Sequence, residues 1–178
     1  MNKFQKFVEK LIYSFGFNGS FYNIAKEIEV LKQNLPANYL HREIVDIGCG
    51  DGSISLKLIP ILQPKSFIGI DLYSSLVKRA SAKGLTALVK DAENDPLTGD
   101  LGILWGVLHH FTNPVATLQK LNREFRSLII RESINPSRLW ELGHKFDKQQ
   151  LLKVFEKAKI TPTKILDTQE KSLIIFIN

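Results

Sequence analysis

The run Ile44-Val45-Asp46-Ile47-Gly48-Cys49-Gly50-Asp51-Gly52-Ser53 constrains this chain more than any other stretch. Ile44, Val45 and Ile47 are β-branched and apolar, which reads as a buried strand, and glycines at 48, 50 and 52 follow where the strand must turn into a helix. Glycine permits positive φ and lets backbone N–H groups approach a ligand, while the next helix aims its positive dipole end at the same place. The dinucleotide fingerprint G-x-G-x-x-G, counted from Gly48, reaches Gly50 and then Ser53, with Gly52 one position early. The spacing therefore favours a ligand other than a dinucleotide.

The rest of the chain alternates strand and helix. Apolar periodicity predicts helices over 53–62 and 74–83, another begun by Asn113-Pro114, and a last one carried by Leu151, Leu152, Phe155 and Ala158. Strands are predicted over 66–71, 85–89, 100–106 and 127–132. Two β-rich runs, 163–166 and 172–177, close the chain around a polar break that suits a hairpin. This order predicts an α/β fold, a doubly wound, mostly parallel sheet of seven strands ending in an antiparallel hairpin. Ahead of it, Phe4, Phe7, Val8, Leu11, Ile12 and Phe15 form one helical stripe that Gly16 ends. Ser20 can cap a second helix, with Phe21, Ile24, Ala25, Ile28, Leu31 and Leu35 facing inward until Pro36. We expect residues 1–36 to be cap helices over a core spanning 40–178, all within one domain, which suits a length of 178 residues.

Composition narrows the partners. A net charge of +6 admits a nucleic-acid or anionic-membrane partner, but acids are interleaved with the bases along most of the chain. The basic excess gathers between Lys120 and Lys164. No apolar run reaches membrane-spanning length, and the N-terminus makes a poor signal peptide. Cys49 is the single cysteine, so a disulfide within the chain is excluded and a reducing, cytoplasmic setting is expected.

Two acids then give the glycine loop a chemical context. Asp46 sits inside the first strand, and Asp71 ends the second, 19 positions after Gly52, near the ~20-residue interval at which a strand-end acid meets a ribose. Asp46 ahead of Gly48-x-Gly50-x-Gly52 resembles the first motif of class I S-adenosylmethionine-dependent methyltransferases. Val107-Leu108-His109-His110, directly after the fourth strand, resembles the fourth motif of their small-molecule branch. The resemblance covers about residues 40–178 and implies S-adenosyl-L-methionine as cofactor. It places Asp46, Gly48, Cys49, Gly50 and Gly52 at the loop, Asp71 at the ribose, Asp91 at the adenine and Trp105 by the methionine part, with Leu72 and Ala92 also among the cofactor-binding residues. Many members carry a polar residue where Trp105 stands.

Methyl transfer from a sulfonium mainly requires holding the nucleophile in line. A hydroxyl or amine acceptor also benefits from a base, and His109 or His110 could serve, or could only shape the loop. Adjacent histidines without a nearby acid at ligand spacing do not suggest a metal site. The leading expectation is methylation of a small-molecule acceptor. RNA or protein methylation, and a catalytically silent cofactor-binding partner subunit, are the alternatives, and oligomeric state stays open. The short link around 133–148, which holds Trp140, predicts an open substrate site with Trp140 as a core anchor.

Overall fold

The computed structural model describes residues 24–134, 146–168 and 172–178. In chain order its elements are helix α1 (Ile24–Asn34), strand β1 (Glu43–Ile47), α2 (Ser55–Leu62), β2 (Ser66–Asp71), α3 (Ser74–Ala82), β3 (Ala87–Val89) and β4 (Gly99–Trp105). Then come α4 (Pro114–Glu124), β5 (Phe125–Ser133), α5 (Lys148–Ala158), β6 (Lys164–Asp167) and β7 (Ser172–Ile177). The strands form one seven-stranded sheet in the order β3-β2-β1-β4-β5-β7-β6. β1 pairs in parallel with β2 and β4, as β2 does with β3 and β4 with β5, while β7 runs antiparallel to β5 and β6. The doubly wound sheet with its closing hairpin is thus present as the alternation predicts.

Strand alternation sorts the core into two layers. Val45, Ile47, Leu128, Ile130, Leu173 and Ile175 meet Leu118 and Leu121 of α4 and Leu151 and Phe155 of α5 on one face. Ile44, Leu101, Ile103, Ile129, Ile174 and Phe176 meet Leu31 of α1 and Leu58 and Leu62 of α2 on the other. Every residue of β7 is buried, which its near-continuous apolar run requires of a strand covered on both faces.

Helix starts follow polar caps. Asn113 Oδ1 accepts from Ala116 N at 3.1 Å, with Pro114 in the first turn of α4. α5 begins at Lys148, ahead of its apolar stripe, because Asp147 and Gln150 form a reciprocal capping box that periodicity alone does not register. α2 begins at Ser55 rather than Ser53, since the residues between complete the turn of the glycine loop.

A buried polar network ties α1 to the sheet. Glu27, fully buried, accepts from Arg131 Nε at 2.9 Å, from a second guanidinium nitrogen at 2.5 Å, and from Ser172 Oγ at 2.5 Å. Arg131 also donates to Ser133 Oγ at 3.1 Å. Among the described residues no buried side-chain nitrogen or oxygen lacks a partner. No helix among them is long and apolar enough to cross a membrane. The stripe from Phe4 to Phe15, the Ser20 cap, and Trp140 with most of its link lie outside the described residues.

Candidate functional site

The parallel strands β1 and β4 lie side by side, and β2 and β5 flank them, so sheet order reverses between β1 and β4. Ligands of such sheets bind beyond the carboxyl ends of the strands at that reversal. A crevice open to solvent lies there. Gly48 and Gly50, Asp71 to Tyr73, Lys90 to Glu93, Gly106 and Val107, and His110 and Phe111 contribute to its walls.

Two glycines shape the loop in different ways. Gly48 has φ of +72°, and a Cβ there would lie 2.4 Å from Val107 Cγ2, so only glycine lets the turns after β1 and β4 close together. Gly50, at φ of +58°, has nothing within 4 Å of where its Cβ would stand. Its side-chain position is open space facing the crevice. Gly50 N donates to Asp71 Oδ2 at 2.9 Å, and Tyr73 N donates to Asp71 Oδ1 at 2.9 Å. Burial raises the Asp71 carboxyl above its usual range, while these N–H groups and the charge of His110 pull it back in part.

At the opposite wall Asp91 Oδ1 accepts from Glu93 N at 2.9 Å and Oδ2 from Asn94 Nδ2 at 2.8 Å. Asp91 N in turn donates to Asp95 Oδ2 at 2.8 Å, so Asn94 and Asp95 serve the turn, as their residue types suggest. Glu93 was not anticipated from sequence. Its carboxylate receives Thr112 N at 2.8 Å and Asn113 N at 3.3 Å, joining the loop after β3 to the start of α4.

The histidines part company in space. His110 lines the crevice, whereas His109 does not and turns to β5. His109 Nδ1 lies 2.8 Å from Glu132 Oε1, and His109 N donates to Glu132 Oε2 at 3.3 Å. Glu132 is fully buried and also accepts from Ser133 N at 2.9 Å. Burial alone would raise its carboxyl, but the charge and hydrogen bond of His109, with Arg131 and the Ser133 amide, hold it below the usual range. Glu132 escaped the sequence reading although the signal was present, an acid at the carboxyl end of a parallel strand, as at Asp71.

Of the residues expected at the cofactor, Gly48, Gly50, Asp71, Leu72, Asp91 and Ala92 line the crevice. Asp46, Cys49, Gly52 and Trp105 do not, and each has a packing reason. Asp46 is 2% exposed within β1 and takes the Ser55 hydroxyl at 2.5 Å, so it supports the loop from below. Burial lifts its carboxyl to about 6, with Asp71 adding to the rise and Ser55 opposing it. Cys49 gives its N–H to Ile70 O at 2.9 Å and packs its side chain with Ala80 and Leu85; burial, with the charges of Asp46 and Asp71, pushes its thiol far up. A Cβ on Gly52 would meet Ala80 and Leu85 at 3.2 Å, so that glycine serves the approach of α3. Trp105 lies on the α1 side of the sheet in the layer that holds Leu31 and Phe176, and does not obstruct the crevice.

A family model described as a methyltransferase domain matches residues 44–127. The match takes in the glycine loop, Asp71, Asp91 and the histidine pair, 84 of the chain's 178 residues. A tRNA (carboxymethyluridine(34)-5-O)-methyltransferase of Arabidopsis thaliana is 35% identical over 89 residues of this chain, 48% of its length. The match spans 20% of the plant protein. A SAM-dependent methyltransferase of Aquifex aeolicus superposes with a TM-score of 0.68 at 19% identity, covering 88% of this chain and 89% of that one. Magnesium protoporphyrin IX methyltransferase of Synechocystis PCC 6803, solved with bound SAM, superposes with a TM-score of 0.66 at 18% identity, covering 95% and 89%. At these identities the two likenesses show the fold alone.

Proposed function

We propose that the crevice binds S-adenosyl-L-methionine and that the domain transfers its methyl group to a small-molecule acceptor. The observation that carries this reading is the open position at Gly50, whose N–H is held by Asp71 at the switch point of the sheet. A ligand can approach the backbone there as a side chain would not allow. Each Asp71 oxygen accepts one backbone N–H and keeps acceptor capacity for a pair of ribose hydroxyls. Asp91 and Ala92 stand where an adenine would lie, and Phe111 and Leu76 supply apolar wall. When bound, the sulfonium supplies an electrophilic methyl group whose transfer neutralises charge. The protein's part is to hold the acceptor in line, exclude water and take a proton where the acceptor carries one.

An RNA acceptor is the second reading. The name of the plant relative and the net charge of +6 favour it.

Calorimetric titration with S-adenosylmethionine and S-adenosylhomocysteine tests the cofactor. Asp71→Ala removes a charge-assisted pair of bonds and should weaken binding by about 2–3 kcal/mol, or roughly 30- to 150-fold, with circular dichroism checking that the variant folds. Tighter binding of NAD than of either compound would overturn the reading. A methyl-transfer screen against small acceptors and against tRNA then separates the two acceptor classes.

A further inference from the structure

We propose that Glu93 is a positioning residue for the purine of the ligand, its carboxylate strapping the loop after β3 to the turn before α4 so that Asp91 and Ala92 stand opposite Phe111 across one slot. The inference rests on the methyl-transfer reading and adds to it the residue that sets the width of the adenine end of the crevice.

Sheet order creates the need for a strap. β2 and β1 stand between β3 and β4, so at roughly 4.8 Å per strand the ends of β3 and β4 lie about 14 Å apart. Both ends nevertheless feed one crevice, Asp91 and Ala92 following β3, Val107 and Phe111 following β4. No ladder hydrogen bond can join strands that are not neighbours. The two loops need another tie.

Glu93 supplies it. Its Oε1 accepts from Thr112 N at 2.8 Å and from Asn113 N at 3.3 Å, and its Oε2 accepts from Thr112 Oγ1 at 3.1 Å. An ionised carboxylate only accepts, and all three partners donate. The two amides precede Pro114, which has no N–H, at the positive end of α4, where the helix dipole also favours a carboxylate. The near end of the strap is fixed as well. Glu93 N donates to Asp91 Oδ1 at 2.9 Å, so the side chain that reaches across starts from the turn of the acid assigned to the adenine. At the far end Phe111 directly precedes Thr112, is 7% exposed, and shares one apolar cluster with Ala92 and Ile70. Glu93 itself stands in the crevice wall between these two ends.

The adenine end is therefore held by side-chain bonds near the surface rather than by the sheet. Bonds of that kind open locally without global unfolding. Loops held in place before the ligand arrives remove their ordering cost from binding. Cutting the strap should accordingly lower affinity and leave global stability nearly unchanged.

The test uses the full chain with Glu93→Ala, which cuts the strap, and Glu93→Gln, whose amide oxygen still accepts the Thr112 amide and whose N–H can donate to Thr112 Oγ1. Calorimetry should show S-adenosylhomocysteine binding about tenfold more weakly in Glu93→Ala and within about threefold of wild type in Glu93→Gln. 5′-Methylthioadenosine, which has the purine and ribose but no amino-acid part, should lose the same factor in Glu93→Ala. Thr112→Val should weaken binding about two- to threefold alone and add nothing in the Glu93→Ala background. Urea midpoints should stay with wild type, while hydrogen exchange in unliganded Glu93→Ala should rise over residues 91–95 and 108–113 together. If Glu93→Ala does not fold, Thr112→Val carries the comparison through its own exchange and affinity. Unchanged exchange in either segment, affinity of Glu93→Ala within twofold of wild type, or a loss for S-adenosylhomocysteine that 5′-methylthioadenosine does not share would overturn the strap. Failure of the wild-type protein to bind either compound would instead remove the methyl-transfer reading, and exchange in the unliganded protein would still decide whether Glu93 joins the two loops.

Discussion

Replacing Asp46 by Asn should make the protein more stable at pH 8 and slightly less stable at pH 4. Asp46 is 2% exposed in the middle of the sheet, between β2 and β4, and burial lifts its carboxyl from 3.8 to about 6. A folded-state pKa above the unfolded value means that the folded chain holds the proton more tightly. The resulting stability is complete below 3.8 and is lost as pH rises through about 6. At about 1.4 kcal/mol per pH unit, that interval makes the ionised form cost about 3 kcal/mol at neutral pH. Asn keeps the shape and can accept the Ser55 hydroxyl through Oδ1, but brings an amide with two N–H groups into the site, which costs about 1–2 kcal/mol. The expected net effect is a gain of about 1–2 kcal/mol at pH 8 and a loss of about 1–2 kcal/mol at pH 4. Urea denaturation of both proteins from pH 4 to 8 provides the check. Taking the difference cancels other groups that titrate on folding, such as Asp71, raised, and Glu132, lowered. A difference independent of pH, or a variant that weakens relative to wild type as pH rises, would refute the argument that desolvation dominates at Asp46.

Other substitutions separate packing from ligand contact. Gly50→Ala meets open space and should lose only about 1 kcal/mol through its left-handed backbone, yet bind S-adenosylhomocysteine at least tenfold more weakly by calorimetry. Gly48→Ala drives a methyl into Val107 at positive φ and should lose about 2–4 kcal/mol in urea denaturation, part of which Val107→Ala restores in the double variant. Glu27→Ala strands the buried Arg131 and should lose about 3–5 kcal/mol, whereas the paired change Glu27→Leu with Arg131→Met should recover most of it, as denaturation midpoints at constant m-value would show.

The alternation of β-branched runs with 3.6-periodic stripes determined the element order by itself, because both periods are local properties of the backbone. The glycine loop, Asp71 and the Asn113-Pro114 start were legible for the same reason, each being a short-range demand for positive φ, a strand-end acid or a helix cap. The tertiary structure alone decided which acids face a ligand. Asp46 within the first strand and Asp71 at the end of the second are both expected at the cofactor, yet one lies under the Ser55 hydroxyl away from the crevice and the other stands beside it. Trp105 and His109 were likewise placed by strand facing and by partners far along the chain, the α1-side core layer for one and Glu132 for the other. The Glu27–Arg131 pair spans 104 positions and has no local signature at either end. Such contacts depend on which strands become neighbours, and chain crossovers set that order through packing of whole layers rather than through any motif.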